Sequence, residues 1–390
     1  MQMTDISGVF ASGVHCGIKA SGVLDLAYIF VPECVGSAVV LSQNAIRSVT
    51  LDHNETVFNT NPIKLMVINS GNANSVTGPI GKTHVNQTVA TASQAFGCKP
   101  SEVGVASTGI IGVPLPIDCI INGLQSFSGN EKNGDACATA ILTTDLVKKT
   151  AARSITIQGQ TVHFCGITKG SGMIAPNMAT TLGFIVTNVA INNATCHQML
   201  QSAINDSYNM LSVDTDQSTN DMVSLQSTGE IALSLSDTDQ KAIQHALTEL
   251  CIDLAKQIAK DGEGATHVVE VHVLGAQSKN DAKRVAKLVV DSPLVKTAIA
   301  GEDPNWGRIL MALGKDPSVV IDHAALTIDV NNELIFSNGA PHHANKTQLA
   351  KVMKHPTIVI TIHIGNGSYE ATAWGCDLTH GYIDINTAYN

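Results

Sequence analysis

The residues best suited to chemistry lie in one segment that runs from Lys169 to Phe184. It begins Lys-Gly-Ser, whereas the phosphate-binding loop of mononucleotide enzymes needs Gly-Lys-Ser or Gly-Lys-Thr after an earlier glycine. The pair Pro176-Asn177 favours a turn, and the run from Leu182 to Val186 is typical of a buried strand. Thr180 is therefore predicted to lie between a turn and a core strand, where its hydroxyl is either structural or a nucleophile.

Two other segments contain candidate residues. In Ser107-Thr108-Gly109, the glycine after the threonine allows an exposed backbone N–H and a hydroxyl to converge on one point, as an oxyanion requires. The same tripeptide is typical of an ordinary turn, so both interpretations stay open at this point. Arg308 is a further candidate, but the default interpretation of Asn305 to Arg308 is a turn anchored by a buried Trp306.

Neither the acidic residues nor the cysteines predict a metal site. The run from Asp214 to Asp221 lacks EF-hand spacing, because Thr219 and Leu225 stand where glycine and glutamate are needed. The 9 cysteines are scattered and include no Cys-x-x-Cys pair, so we interpret them as reduced thiols. The 14 histidines form no recognisable Ser-His-Asp arrangement. These features predict a cytoplasmic protein without a metal.

The elements that position these residues are a mixture of helices and strands. Apolar residues at helical spacing predict one helix over Thr83 to Phe96, ended by Gly97, and another from Ile243 to Ile258. Alternating apolar residues predict strands at Val269 to Val273 and at Ile358 to Ile364. The chain is therefore predicted to be α/β.

Length and composition exclude several classes of protein. The chain has 390 residues, enough for two or three domains, and 44% of them are hydrophobic. Its net charge, 23 basic minus 33 acidic residues or −10, argues against nucleic acid or an anionic membrane as a partner. No run is apolar enough to span a membrane, and Met1 to Val23 does not resemble a signal peptide.

The run from Lys169 to Thr180, Lys-Gly-Ser-Gly-Met-Ile-Ala-Pro-Asn-Met-Ala-Thr, resembles the self-cleavage segment of one enzyme family. This is the ornithine acetyltransferase family of arginine biosynthesis, the bifunctional glutamate N-acetyltransferases. The resemblance extends over nearly the whole chain. Further blocks that resemble those of the family, in the same order, are Asn69–Asn74, Ser107–Gly112, Thr143–Asp145, Asp261–Thr266, Asp303–Arg308 and Ala373–Thr379.

The resemblance implies that the chain cuts itself between Ala179 and Thr180, and that Thr180 becomes the catalytic nucleophile. An N-terminal threonine suits this role because its own α-amine, with a pKa of about 8, takes the hydroxyl proton. No partner histidine is then needed. By the same resemblance, Thr108 and Gly109 form the oxyanion hole.

The resemblance also implies two substrates, N-acetylornithine as acetyl donor and glutamate as acceptor. The substrate-binding positions of the family correspond to Thr143, Lys169, Thr180, Glu263 and Asn386. A cation at Lys169 suits a substrate carboxylate, and a carboxylate at Glu263 suits an ammonium group. No cofactor is implied, and no residue decides whether acetyl-CoA also serves as a donor.

The fold implied by the resemblance is α/β, with a layered αββα-type core of the self-cleaving N-terminal-nucleophile kind and a smaller C-terminal α/β domain. We predict that residues 1–179 form the α chain, that 180–265 complete the core and that 266–390 form the C-terminal domain. The boundary is expected near Gly264 to Thr266. Two copies of each chain are expected to assemble.

Three features depart from the family pattern. Thr215 and Gln217 replace residues of a block that usually reads Asp-Gly-Asp-Thr-Ser-Thr-Asn-Asp. Thr181 occupies a position usually held by methionine, which places two threonines side by side at the predicted scission point. The tail matches the family through Tyr389 but lacks its last residue, usually a threonine or serine at the substrate.

Two alternative functions are compatible with these residues. A self-processing amidase or aminopeptidase would share the threonine nucleophile but pass the acyl group to water. An unprocessed, inactive homologue would act as a binding protein. Capture of a second amino acid by Lys169, Glu263 and Asn386 would distinguish the transferase from the hydrolase.

Overall fold

The computed structural model describes residues 1–175, 181–342 and 346–388, and these residues form two compact units. The first unit comprises the described residues of Met1–Gly170, Pro176–Asn209 and Gln217–Leu254. The second comprises those of Ser171–Ala175, Met210–Asp216 and Ala255–Asn390. Two short segments from the middle of the chain therefore belong to the second unit together with the C-terminal part.

Strands and helices alternate irregularly along the described residues. The strands are β1 (Phe10–Val14), β2 (Leu26–Phe30), β3 (Gly36–Leu41), β4 (Leu65–Asn72), β5 (Val103–Ile110), β6 (Lys149–Ile157), β7 (Gln160–Lys169), β8 (Leu182–Val189), β9 (Leu211–Ser212), β10 (Met222–Ile231), β11 (Val268–Ala276), β12 (Thr327–Val330), β13 (Glu333–Ser337), β14 (Ala340–Pro341), β15 (Thr357–His363) and β16 (Tyr369–Cys376). The helices are α1 (Val49–Phe58), α2 (Pro79–Phe96), α3 (Ile117–Gln125), α4 (Gly134–Ala140), α5 (Asn193–Asn205), α6 (Asp237–Lys260), α7 (Lys279–Val290), α8 (Pro293–Ala300), α9 (Trp306–Leu313), α10 (Lys346–Val352) and α11 (His380–Thr387).

The first unit contains two sheets. The four-stranded sheet has the order β1-β2-β4-β5, and only its β4–β5 pair is parallel. The five-stranded sheet has the order β3-β10-β8-β7-β6, and only its β10–β8 pair is parallel. Strands that pair in space but not in sequence, such as β3 with β10, bring distant residues together.

Alternation along the strands divides the apolar side chains between two cores. In β4, Met66 and Ile68 belong to a core that also contains Phe184 and Val186 of β8, so the two sheets pack face to face. Leu65 and its alternate neighbours face the other way, into a core shared with α2 and α3. The four-stranded sheet is therefore covered by helices on its outer face.

Helices also cover the outer face of the five-stranded sheet. Helix α5 contacts β3 and β10. In α6, Leu250 and Leu254 lie against Gly166 of β7, where a side chain on the glycine would crowd them. Gln244 of α6 donates a hydrogen bond to the carbonyl of Met199 in α5 over 3.1 Å. The layers are thus helix, sheet, sheet and helix, which confirms the predicted αββα fold.

The second unit is built on one seven-stranded sheet with the order β14-β13-β12-β15-β11-β16-β9. The pairs β11–β15 and β16–β9 are parallel. Helix α7 packs on β11 and β16, and α8 and α9 pack beside it. The α/β class predicted for the C-terminal part of the chain is confirmed.

Several predicted elements have the expected type but different ends. Helix α2 begins at Pro79 instead of Thr83, and it ends at Phe96 as predicted, followed by Gly97, whose φ of +66° gives the left-handed cap. Helix α6 is longer than predicted at both ends. The strand predicted at Val269 to Val273 is β11, that at Ile358 to Ile364 is β15, and that at Leu182 to Val186 is β8.

The prediction of a buried Trp306 in a turn is wrong. Trp306 begins α9, is 36% exposed and stacks on Phe336 with ring centroids 5.7 Å apart. The side chain of Arg308 donates hydrogen bonds to the carbonyl of Leu294 and the hydroxyl of Thr297. Its aromatic partner, Phe336, lies in β13, and the local sequence pattern around Trp306 did not indicate this contact.

The described residues contain no helix that is long and apolar enough to cross a membrane. The 9 cysteines are free thiols, and most of them are buried.

Candidate functional site

Thr108 and Gly109 lie near the end of β5, in parallel register with the end of β4. Gly109 has φ +132°, and a side-chain carbon at this position would overlap the backbone of Gly71 and Asn72. Only glycine permits this approach of two strands. The predicted oxyanion segment is therefore a strand end with a required glycine and not an ordinary turn.

Side chains hold the backbone that leads into Thr108. Asn220 donates from Nδ2 to the carbonyl of Ser107 over 2.9 Å and to that of Ala73 over 2.5 Å. The hydroxyl of Ser107 donates to Asn69 Oδ1 over 2.6 Å. Because these groups are all buried, the segment is fixed before any ligand binds.

Lys169, the last residue of β7, points its ammonium group at Thr108. Nζ donates to Thr108 Oγ1 over 3.2 Å, and both side chains are buried. An ammonium group only donates, so Thr108 Oγ1 accepts here and its own proton stays available for another acceptor. Within the described part of the chain this is the only hydrogen bond of Lys169 Nζ, which leaves two N–H groups for an anion.

The neighbouring threonine, Thr181, has a structural role. Its hydroxyl donates to the carbonyl of Lys169, and its own carbonyl accepts from the Met222 N–H over 2.8 Å. Thr181 is buried between β7 and β10. Its hydroxyl is therefore already used, which removes one of the two adjacent threonines as a candidate nucleophile.

A buried carboxylate, Asp145, connects two segments that carry predicted substrate-binding residues. Oδ2 accepts from the Thr143 N–H over 3.0 Å, and Oδ1 accepts from the Gly170 N–H over 2.7 Å. Lys149, whose side chain is also fully buried, donates to Oδ1 over 2.6 Å. Burial alone would raise the pKa of Asp145, but the charges of Lys169 and Lys149 outweigh it and lower that pKa. Asp145 therefore stays ionised.

A second buried carboxylate, Asp221, interacts electrostatically with the same lysine. Burial raises its pKa to about 8, although the charge of Lys169 and hydrogen bonds from Ser218 oppose the rise. Oδ2 has no hydrogen-bond partner among the described residues. Asp221 and Asp145 are therefore opposites: one holds its proton near neutral pH and the other does not.

Glu263 and Asn386 lie together in the second unit. Asn386 donates from Nδ2 to Glu263 Oε2 over 2.8 Å and to the carbonyl of Tyr382 over 2.9 Å. Both amide protons of Asn386 are thus committed, and the atoms that this pair offers to a ligand are acceptors. The buried carboxylate of Glu263 lies against Gly172, where a side-chain carbon would overlap it. This pair suits an ammonium group.

The structure does not describe two of the predicted residues. Ala179 and Thr180, the predicted scission point and nucleophile, lie outside the described residues, as do the turn residues Pro176-Asn177. Thr108, Gly109, Thr143 and Lys169 are brought together in the first unit, and Glu263 and Asn386 in the second. Among the described residues, no group of three or more His, Cys, Asp or Glu side chains could hold a metal ion.

A sequence model of the ArgJ family matches residues 10–390. The chain belongs to the ArgJ family. The arginine biosynthesis bifunctional protein ArgJ of Bacillus anthracis is 38% identical over 388 residues, which are 98% of this chain and 95% of that protein. The protein of the same name from Bartonella henselae is 38% identical over 396 residues, covering 100% of this chain and 96% of that protein.

A crystal structure of the arginine biosynthesis bifunctional protein ArgJ from Bacillus halodurans is also similar to this chain. It shares 36% sequence identity with a TM-score of 0.51, and the match covers 53% of this chain and 98% of that one. The predicted resemblance to the family is therefore confirmed over nearly the whole sequence.

The structure shows the local consequences of two departures of this ArgJ-family chain, but it does not explain why either residue is present. Thr215 has φ +70°, a left-handed conformation that strains a β-branched residue by about 1–2 kcal/mol and that glycine adopts freely. Gln217 offers its carbonyl to Asn44 Nδ2 over 2.8 Å, a bond that any residue type can make. The tail residues Tyr389 and Asn390 lie outside the described part of the chain.

Sequence reasoning missed Asp145 and Asp221, two buried carboxylates that interact with predicted site residues of this ArgJ-family chain. Asp145 stood in a block that resembles the family, but its link to Gly170 is a contact between distant segments. Asp221 ends the acidic run that lacks EF-hand spacing and resembles a family block, but neither interpretation predicts that its side chain is buried. An acidic residue beside a buried strand is the signal that would have drawn attention to it.

Proposed function

We propose that this chain is a glutamate N-acetyltransferase that moves an acetyl group from N2-acetyl-L-ornithine to L-glutamate. The products are L-ornithine and N-acetyl-L-glutamate. The single observation that supports this best is the hydrogen bond from Lys169 to Thr108, beside Gly109. This contact places a cation and a hydroxyl proton side by side in a buried position. The cation suits the carboxylate of an acylated amino acid, and the proton suits the oxygen of its acyl group.

The proposed first event is self-cleavage between Ala179 and Thr180. The hydroxyl oxygen of Thr180 attacks the carbonyl carbon of Ala179, the C–N bond breaks, and the departing nitrogen takes a proton, which leaves an ester. Water then hydrolyses the ester, so that Ala179 gains a carboxylate and Thr180 recovers its hydroxyl. The hydrogen bond from Thr181 to Lys169 supports Thr180 over its neighbour as the attacking residue.

The acetyl transfer that we propose has two steps. Thr180 Oγ1 attacks the acetyl carbonyl carbon of N-acetylornithine, its proton passes through the new α-amine, and ornithine leaves with that proton. The α-amine of glutamate then attacks the acetyl-threonine ester, and the threonine oxygen recovers a proton. Both steps pass through a tetrahedral oxyanion. Donors at Thr108 and Gly109 would each stabilise it by about 3 kcal/mol.

The groups that bind substrate divide by charge. Lys169 is proposed to hold the substrate carboxylate with its two remaining N–H groups. Glu263 and Asn386 are proposed to hold an ammonium group, because the atoms they offer are acceptors. Thr143 is proposed to contact the same substrates, at a position fixed by Asp145.

Several properties of the active enzyme follow from the family and are part of the proposal. The chains 1–179 and 180–390 are expected to stay together and to assemble as two copies of each. Acetyl-CoA is a further acetyl donor to be tested, and no resident cofactor is needed for the chemistry. The cytoplasm, where amino acids are made, is the expected location.

A transfer assay tests this proposal. Purified protein is incubated with N-acetylornithine, with and without glutamate, and acetate and N-acetylglutamate are both measured. We expect N-acetylglutamate to form only with glutamate, little acetate in its absence, and no activity in Thr180→Ala. Thr83→Ala, an exposed threonine in α2, is the matched control. Release of acetate at a rate unaffected by glutamate would show a hydrolase instead.

A further inference from the structure

The segment Ser171–Ala175 of the second unit is held in a strained conformation. Met173 has φ +57°, a left-handed conformation that costs a residue with a side chain about 1–2 kcal/mol. Strain of this kind persists where the surroundings fix the backbone, and it is concentrated at functional segments. Ala175 is also the last described residue before 176–180, which contain the proposed scission point.

The carboxylate of Asp214 holds this segment from one side. Oδ2 accepts from the Met173 N–H over 2.6 Å, and Oδ1 accepts from the Ile174 N–H over 2.8 Å. The carbonyl of Ile174 accepts from the Val213 N–H over 2.7 Å. Hydrogen bonds to an ionised acceptor are roughly twice as strong as neutral ones. Asp214 therefore fixes both peptide groups that flank the strained residue.

The beginning of the segment is held from the other side. The hydroxyl of Ser171 donates to the carbonyl of Asp261 over 2.6 Å, and the carbonyl of Ser171 accepts from the Glu263 N–H over 3.0 Å. Gly172 then packs against the Glu263 carboxylate. With both ends fixed, the backbone has little freedom between them.

Tyr382 connects Asp214 to the helix that carries Asn386. Its hydroxyl donates to Asp214 Oδ2 over 3.2 Å. Burial and the charge of Asp214 raise the pKa of Tyr382, so the phenol keeps the proton that it donates. The same carboxylate thus joins the strained segment to α11, where Asn386 contacts Glu263.

We propose that Asp214 is a positioning residue for self-cleavage, acting through the backbone of Met173 and Ile174. This inference rests on the proposed cleavage between Ala179 and Thr180. Fixing the backbone at Met173 and Ile174 lowers the conformational entropy that must be lost before the hydroxyl can attack the scissile peptide. The carboxylate takes no part in the bonds that form and break.

The test is the rate of cleavage, followed by denaturing gel after pulse labelling of the full chain. Asp214→Asn keeps the shape but turns one acceptor into an N–H that faces a backbone N–H. We expect cleavage to slow by about tenfold or more, at a melting temperature close to that of the wild type. Asp214→Glu restores the charge and is expected to recover part of the rate.

Two further variants are compared with Asp214→Asn. Asp322→Asn makes the same chemical change at another carboxylate of the second unit, which accepts from the Ala324 N–H over 3.0 Å, and it should cleave like the wild type. Tyr382→Phe removes one of the bonds to the Asp214 carboxylate and should slow cleavage less than Asp214→Asn. A larger effect in Tyr382→Phe would overturn the proposed route through Met173 and Ile174.

The outcomes separate this inference from the proposed function. Wild-type cleavage in Asp214→Asn, with Thr180→Ala uncut, would overturn the role of Asp214 and leave the proposed function intact. An uncut wild-type chain, or cleavage of Thr180→Ala at the same bond, would overturn the proposed function itself. If Asp214→Asn loses its cooperative melting, Asp214→Glu decides: a wild-type rate there contradicts the inference, and a slowed rate with normal melting supports it.

Discussion

Lys169 Nζ lies 3.2 Å from Thr108 Oγ1 and joins the ends of β7 and β5, two strands from different sheets of the first unit. The two sheets are held together by an apolar core, so this polar contact sits at its edge and is fixed by both. Because Lys169 Nζ makes one hydrogen bond among the described residues and lies at the edge of this core, we expect its removal to change substrate binding.

We predict that Lys169→Met raises the KM for both N-acetylornithine and glutamate by tenfold or more, because a charged hydrogen bond to a carboxylate contributes about 1.5–3 kcal/mol. Steady-state kinetics with each substrate varied in turn measures this. Lys64→Met, which removes a half-buried lysine paired with Glu102 at 3.6 Å, should leave both KM values unchanged. An unchanged KM in Lys169→Met would exclude the assigned role.

Thr108→Val should act on the rate instead of on binding. Valine keeps the shape of threonine but loses the hydroxyl proton that faces the oxyanion, so kcat should fall by about 100-fold; KM should rise by less, because Thr108 Oγ1 also accepts from Lys169. Thr88→Val removes a buried hydroxyl in α2, where it donates to the carbonyl of His84, and serves as the control. A fall in both variants alike would point to general destabilisation.

Gly109→Ala and Gly97→Ala should differ sharply although both glycines have positive φ. At Gly97 an added carbon meets nothing within 4 Å, so alanine adds only backbone strain and should lower the free energy of unfolding by about 1 kcal/mol. At Gly109 the added carbon overlaps the backbone of Gly71, so we expect a much larger loss of unfolding free energy, together with loss of activity. Chemical denaturation of the two variants side by side measures the difference, and equal losses would contradict the close strand approach.

Asp145→Asn should destabilise the protein by about 3–5 kcal/mol, because it removes one charge of the buried pair that Asp145 forms with Lys149. The pKa of Asp145 is lowered in the folded state, so its contribution is present above the ordinary value of 3.8 and is lost as pH falls through the lower, folded pKa. The difference between variant and wild type should therefore shrink in acid. Asp145→Asn combined with Lys149→Met removes both charges and keeps one acceptor for the Thr143 and Gly170 N–H groups, so it should lose less stability than Asp145→Asn alone in chemical denaturation.

Asp221→Asn should remove a pH dependence of stability. The folded protein holds a proton on Asp221 up to about pH 8, whereas the unfolded chain releases it near 3.8. Stability contributed by the protonated acid is therefore complete below 3.8 and declines as pH rises toward 8. As pH rises across this window, the free energy of unfolding of the wild type should fall more steeply than that of Asp221→Asn. Parallel profiles would show that Asp221 is ionised throughout.

Local patterns predicted the elements better than the contacts between them. The amphipathic helix at Thr83 to Phe96 and the alternating strand at Val269 to Val273 follow from spacing alone, since one face of each is buried. The early start of α2 at Pro79 follows from the preference of proline for the first turn, a signal present in the sequence but not used.

The residue types of Lys169 and Thr108-Gly109 left a structural and a functional interpretation open, and only the resemblance to the family favoured the functional one. The structure places these residues in contact, and their roles stay predictions. The burial of Asp145 and Asp221 was not predictable from the sequence, because it depends on which distant segments cover them. Trp306 was misjudged for the same reason, since its partner Phe336 lies on a strand far along the chain.

In the proposed mechanism, a threonine created by self-cleavage carries the acetyl group. Intact mass measurement of the purified protein after incubation with N-acetylornithine, without glutamate, tests it most directly. We predict two chains, 1–179 and 180–390, with the mass of one acetyl group added to the second and lost again when glutamate is supplied. A single uncut chain would show that Thr180 is not freed by self-cleavage. An acetyl group that water removes as fast as glutamate does would show a hydrolase instead of a transferase.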